Sequence, residues 1–317
     1  MTPVLTIIVP CYNEAAVLEL TAQKLQAELQ ALINQHAVAP TSKILFVDDG
    51  SQDQTWSLIQ KLQANQACFT GLKFSRNFGH QNAVLAGLAT AVNYADWLIT
   101  IDADLQDDVT KIPEMVSKAA NGYEIIYGVR NNRATDTAFK RSTANCFYWG
   151  MRKLGVELIP NHADYRLMSK RAVYALLQYH ETNLFLRGLV PTLGFKSTKV
   201  FYQRHERAAG QSHYPLKKML ALAINGLTSF SIAPIQLILY LGLLMMVVSG
   251  LALLYVLGSY FWYHTASGWA SVMMSLWFLG GLQLVTLSIV GTYVGKTFVE
   301  TKHRPRYLIE TNTFPHK

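Results

Sequence analysis

Between Lys218 and Lys296 the chain carries no Asp, Glu, Lys or Arg. So long an uncharged run cannot coat a water-soluble surface, which restricts it to a protein core or to lipid. Within it, Ile235 to Leu257 and about Ser271 to Val294 each reach the roughly 20 apolar residues that a hydrocarbon core requires. We therefore expect two transmembrane helices, because in lipid the backbone must satisfy its own hydrogen bonds. The link between them, about Gly258 to Ala270, holds His264 and the aromatics Tyr260, Phe261, Trp262, Tyr263 and Trp269, suited to the lipid-water boundary. Lys217 and Lys218 precede the first span, and Lys296, Lys302, Arg304 and Arg306 follow the second. The positive-inside rule then predicts a multi-pass protein of the inner (plasma) membrane, with its large N-terminal part and both termini cytoplasmic. Met1 to Pro10 lacks the basic start and long apolar run of a signal peptide.

The N-terminal part alternates short apolar runs with helical patterns. Leu5 to Val9 is a strand ended by Pro10, and a helix follows from Ala15 to about Ile33. A strand at Lys43 to Val47 precedes a helix to about Asn65, and Gly71 to Phe74 precedes a helix from His80 to Val92. Trp97 to Ile101 is a strand with a helix from Lys111 to Ala120, and Glu124 to Val129 is a fifth strand. This alternation predicts an α/β, Rossmann-like and mainly parallel sheet, covered on both faces, with a site formed by loops at one edge. Polar clusters fall where strands end: Cys11-Tyr12-Asn13-Glu14, Asp48-Asp49-Gly50-Ser51, and Asp102, Asp104 and Gln106 at alternate positions. Closely spaced carboxylates at such an edge need a cation, and magnesium or manganese bound beside nucleotide phosphates is the simplest. An EF-hand is excluded, since Asp107 stands where glycine is required and Pro113 where glutamate is required. Asp107 and Asp108 also suit the start of the following helix.

The net charge of +8 fits anionic lipid and phosphorylated ligands, and no nucleic-acid motif is present, so no nucleic-acid partner is expected. Cys11, Cys68 and Cys146 lack CxxC spacing, which predicts neither disulfides nor a zinc site. There is no GxGxxG, and Gly291 to Thr297 falls one residue short of a P-loop. Gly291 and Gly295 better suit close helix packing, within one chain or in a dimer or tetramer.

Pro10-Cys11-Tyr12-Asn13-Glu14, Asp48-Asp49-Gly50-Ser51, Ser75-Arg76-Asn77-Phe78-Gly79-His80, Asp102-Ala103-Asp104-Leu105-Gln106-Asp107 and Ala163-Asp164-Tyr165-Arg166-Leu167-Met168 occur in one order. Together they resemble the family 2 glycosyltransferases of GT-A fold that act on polyprenyl phosphates, such as GtrB-type bactoprenol glucosyltransferases and dolichyl-phosphate mannose synthases. The likeness runs from about Leu5 to Tyr307. It implies a GT-A domain over 1–205, a basic loop and interfacial helix over 206–234, a two-helix hairpin over 235–295 and a basic cytosolic tail over 296–317. That tail either marks topology or returns to brace the acceptor site.

The resemblance further implies inverting transfer of a sugar from a nucleotide sugar to a polyprenyl (undecaprenyl) phosphate. UDP-glucose is favoured over GDP-mannose and UDP-GlcNAc. Pro10, Tyr12, Glu14, Asp48, Asp49, Arg76 and Asp102 would bind the nucleotide sugar. Asp102, Asp104 and Gln106 would hold Mg2+ or Mn2+. Arg130, Lys140, Arg141, Ser142 and Arg204 would receive the acceptor phosphate, and Asp164, Asp104 and Arg130 would serve catalysis. A phosphate monoester has a second pKa of about 6, so at neutral pH it needs a cationic cradle more than a general base. Asp164 accordingly has two readings, base or orienting group for Arg166 or the sugar, beside a plain one in which Asp164 and Arg166 point outward from a buried edge. The chain departs from the family pattern at His213, where lysine is usual, and at Asp108-Val109, where prolines are common. A processive polysaccharide synthase would need a QxxRW segment that is missing here. A non-catalytic membrane adaptor would have no reason to keep Asp102, Asp104 and Arg130.

Overall fold

A computed structural model describes residues 2–131, 162–181, 185–204 and 268–315, and scattered helical positions between 235 and 254. It divides into two units, Met1–Tyr214 with Pro305–Lys317, and Pro215–Arg304.

The first unit is built on one eight-stranded sheet. Its strands are β1 (Leu5–Cys11), β2 (Lys43–Asp48), β3 (Phe69–Phe74), β4 (Trp97–Thr100), β5 (Ile125–Arg130), β6 (His162–Ser169), β7 (Ser197–Tyr202) and β8 (Ile309–Asn312). They lie in the order β7-β5-β6-β4-β1-β2-β3-β8. β1 runs parallel to β2 and β4, β2 to β3, and β5 to β7, whereas β6 is antiparallel to both of its neighbours and β8 to β3. The sheet is thus mainly parallel, as the alternation predicts. Every residue of β1 is buried, the pattern of a strand covered on both faces.

Helix α1 (Ala15–Asn34) buries Val17, Leu18, Thr21, Ala22, Leu25, Leu29 and Leu32, a stripe of three- and four-residue steps. Helix α2 is Thr55–Asn65 and α3 is His80–Ala91. Gly87 lets α3 lie close on the sheet, since a Cβ there would come within 2.4 Å of Ile8 Cγ2. A 3-10 turn, Val109–Lys111, precedes α4 (Ile112–Ala120), and α5 (Lys170–Leu177) and α6 (Leu186–Thr192) follow β6.

Several expectations need correction. Pro10 does not end β1. Pairing with β4 stops at Ile8, so Pro10 has only β2 beside it, where its missing N–H is tolerated. Asp164 and Arg166 do not point outward from an edge: β6 lies inside the sheet and both side chains are buried. Only Asp108 caps the following turn, accepting from Thr110 N at 3.0 Å, while Asp107 turns inward. The tail does return to the first unit. β8 pairs with β3, Tyr307 stacks on Phe74 at 5.2 Å, and Lys73 pairs with Glu310 at 2.9 Å.

In the second unit, helix α7 (Trp269–Thr301) covers the second expected span, and its part Phe278–Thr301 is long and apolar enough to cross a membrane. Thr286, Thr292 and Thr297 donate to carbonyls four residues back, at 2.9 to 3.1 Å, so these hydroxyls need no water. The first span, the link and the interfacial segment lie largely outside the described residues.

Candidate active site

The loops that follow β1, β2 and β3 are tied to one another by side chains. Asn13, at φ 54°, donates its N–H to Ser51 Oγ (3.0 Å) and accepts from Gln52 N (2.9 Å), while Glu14 N donates to Thr55 Oγ1 (3.0 Å). Gly50, at φ +67°, packs so closely on the third loop that a Cβ would fall 2.3 Å from the Arg76 carbonyl carbon. Asp49 accepts from Phe78 N (2.7 Å) and Gly79 N (2.9 Å), which fixes the entry to α3. Burial raises its carboxyl above the ordinary value, and those two amides oppose the rise. Asp48 accepts from Ser51 N at 3.2 Å, and its Oδ2 is buried without a hydrogen-bond partner among the described residues. Tyr12 stands exposed at the rim, and Arg76 lies over the Phe78 ring at 4.0 Å. Pro10 closes the same edge from β1.

β4 delivers Asp102 beside this nest. Its side chain is 30% exposed, yet Oδ1 is buried and makes no hydrogen bond among the described residues; His80 Nε2 lies 3.4 Å away. Burial, with Asp107, Asp164 and Asp104 nearby, pushes the Asp102 carboxyl up to about 6 against the pull of His80. Asp104 is buried and accepts from Gln106 N at 3.1 Å across Leu105, whose φ of 55° is unusual for leucine. Gln106 Oε1 accepts from Arg204. No group of three His, Cys, Asp or Glu side chains forms a ready metal cage among the described residues. The donor set nonetheless fits a magnesium-like ion, which takes one or two carboxylates and completes its shell with phosphates and water. A buried carboxylate oxygen with no donor is the defect that such an ion would relieve.

Three arginines near this edge are held by two buried carboxylates. Asp107 Oδ1 accepts from Arg130 Nη2 (2.8 Å), Arg130 Nε (3.2 Å) and Tyr202 OH (2.5 Å). Burial alone would lower the basicity of Arg130, but Asp107 and Tyr202 raise it, so the cation is secure. Asp164 Oδ1 accepts from Arg166 Nη2 (2.7 Å) and Oδ2 from Arg187 Nη2 (2.9 Å), with His80 Nε2 at 3.7 Å. Burial by itself would raise the Asp164 carboxyl. His80, Arg187 and Arg166 overcome that and hold it well below the ordinary carboxylate range. Such a carboxylate is a poor proton acceptor.

The structure therefore gathers Pro10, Tyr12, Glu14, Asp48, Asp49, Arg76, Asp102, Asp104, Gln106, Arg130, Asp164 and Arg204 on the loops and strand ends of one unit. Lys140, Arg141 and Ser142 lie outside the described residues. Sequence reasoning gave no role to His80, Tyr202 or Arg187, and gave Asp107 only that of a helix-start residue. His80 had one available signal, its place at the end of the Ser75–His80 motif and the start of α3. Arg187 had none, since its partner lies 23 positions away on another element.

The family model for glycosyl transferase family 2 matches residues 6–177. An uncharacterized glycosyltransferase, YkoT, of Bacillus subtilis (strain 168) is 51% identical over 312 residues, spanning 98% of this chain and 93% of its own. A prophage bactoprenol glucosyl transferase homolog of Escherichia coli (strain K12) is 35% identical over 96% of this chain and 98% of its own. The bactoprenol glucosyl transferase of Shigella phage SfV is 34% identical over the same shares.

Proposed function

Because the chain belongs to glycosyl transferase family 2, we propose that it transfers glucose from UDP-glucose to a polyprenyl (undecaprenyl) phosphate, with inversion, at the cytoplasmic face of the membrane. The fold is of the GT-A type and the protein is a glycosyltransferase. One observation carries the reading furthest: a buried carboxylate oxygen on Asp102 that no donor among the described residues reaches, in the site where Asp107 and Asp164 hold Arg130 and Arg187. That is a layout for a cation and more than one phosphate. Relatives named for bactoprenol glucosyl transfer, aligned over nearly the whole chain, support the acceptor class. The apolar helix Phe278–Thr301 supports membrane attachment.

In this mechanism Pro10, Tyr12 and Glu14 with Asp48 form the nucleoside nest, and Asp49 keeps the Arg76 loop in place. Asp102 and Asp104 would hold Mg2+ or Mn2+, which supplies Lewis-acid stabilisation of the departing diphosphate. An oxygen of the acceptor phosphate attacks the anomeric carbon, and the bond to the β-phosphate oxygen breaks, its electron pair leaving with UDP. The acceptor oxygen is already anionic, so no proton is removed and no residue needs to act as base. Arg130, with Arg204 and the Lys140-Arg141-Ser142 segment, offsets the repulsion between acceptor and donor phosphates.

The test is transfer of radiolabelled sugar to undecaprenyl phosphate in detergent, with a panel of UDP- and GDP-sugars and either Mg2+ or Mn2+. We expect a lipid-linked product from UDP-glucose that is lost in Asp104→Ala. A product from GDP-mannose or UDP-GlcNAc alone would keep the chemistry and reassign the donor. No product from any donor would overturn the reading.

A further inference from the structure

The Asp107–Arg130 pair serves a cation already expected from the sequence, but Arg187, which pairs with Asp164, has no assigned purpose. Asp164 is 8% exposed and Arg166 is 1% exposed, so these two form an internal pair. Arg187 differs, because its side chain is 44% exposed although Nε and Nη2 both reach Asp164. Its Nη1 amine makes no hydrogen bond among the described residues. One buried carboxylate thus holds two guanidiniums, and the exposed one, Arg187, also feels the negative charge of Asp102. A guanidinium held on a carboxylate by one edge presents its remaining N–H groups in a fixed direction, the geometry suited to phosphate oxygens. The element that carries it is tied down as well: Leu186 N, at the start of α6, donates to Gln81 Oε1 on α3 at 3.0 Å, and Arg166 Nη1 donates to Leu186 O at 3.4 Å.

We propose that Arg187 is a phosphate-binding residue of this site and that Asp164 is the positioning residue that aims it. The ligand is a phosphate of one of two sources, the diphosphate of the sugar donor or the monoester of the lipid acceptor. The inference rests on the transfer reaction proposed above and gives Asp164 a task other than proton removal.

The experiment compares wild type, Arg187→Gln and Arg187→Lys in full-length protein, by KM for UDP-glucose, KM for undecaprenyl phosphate, kcat, and calorimetric binding of UDP with Mn2+. Arg187→Gln is expected to raise one KM by roughly tenfold or more, the scale of a lost charge-assisted hydrogen bond, with a smaller change in kcat. Arg187→Lys is expected to recover part of it, because the charge returns without the fork. A rise in acceptor KM with unchanged UDP binding identifies the lipid phosphate; weakened UDP binding identifies the diphosphate. Asp164→Asn should move the same KM and leave the acid limb of the pH–rate profile in place. Loss of that limb would mark Asp164 as a base and overturn its positioning role. If both Arg187 variants keep wild-type KM values and UDP binding, the inference fails while transfer by wild type still stands. If wild type itself transfers nothing, the reaction fails, and unchanged UDP binding in Arg187→Gln then removes this proposal too. Should Arg187→Gln not fold, Arg187→Lys decides through the same two KM values.

Discussion

Asp102 and Asp164 are both acidic groups at the end of the sheet, yet their surroundings push them in opposite directions, and each direction has a measurable consequence. Asp102 binds its proton more tightly in the folded chain than in the unfolded one. Its contribution therefore favours folding at low pH and is lost as pH rises from about 4 through about 6. Two pKa units set an upper limit of about 3 kcal/mol, reduced by the solvent that reaches the side chain. Urea unfolding of metal-free protein should show this loss between pH 4 and pH 7, Asp102→Asn should flatten it, and added Mn2+ should restore stability at pH 7. Asp164, held well below the ordinary range, has the reverse sign: it stabilises above the unfolded carboxylate pKa and that support disappears as pH falls through its own lower value. Replacing it with Asn strands Arg166 inside the protein, and we expect a loss of about 3–5 kcal/mol in thermal unfolding. Asp102, Asp104 and Arg130 were legible in the sequence because each sits at or just beyond a readable strand end. Asp107 was misread as a helix-start residue, because only the folded chain shows that Arg130 and Tyr202 converge on it.

The parallel strands β1 to β5 could be placed from their apolar runs, since doubly covered strands read as continuous hydrophobic stretches. β6 contains such residues too, but alternates them with Asp164 and Arg166, and nothing local announces that it enters the sheet reversed between β4 and β5. β7 and β8 carry Lys199 and Glu310, and β8 spans only four residues, so both lack an apolar signature. Between elements, the tightest constraint is the contact of the Asp48–Ser51 loop with the Ser75–Gly79 loop. Gly50→Ala would place a methyl group against backbone in a conformation that already disfavours side chains. We expect a stability loss of about 2 kcal/mol or more together with weakened UDP binding, measured by denaturant unfolding and calorimetry. Unchanged UDP affinity would separate this loop contact from the nucleoside nest.

At the scale of the whole molecule, the first unit is discontinuous in sequence: the second unit, Pro215–Arg304, is inserted between β7 and β8. The charge-free run made an inserted apolar segment legible, but the return of the chain was legible only as one of two options, since basic residues near a span serve topology equally well. Gly71 exchanges hydrogen bonds with Thr313, Ser75 N donates to Leu308 O, and Arg306 donates to Tyr179 O, so the returning segment closes the edge beside β3. A chain stopped after Arg304 should unfold at lower temperature and aggregate more readily, because β3 becomes an exposed edge. Light scattering of the purified, truncated protein would check it. The same arrangement sets an order on biosynthesis. The ribosome must finish the whole apolar insert before it supplies the strand that completes the catalytic sheet, so a nascent chain stalled within that insert leaves β3 open on the side away from β2 and is recognisable as incomplete by any chaperone or protease that binds open strands.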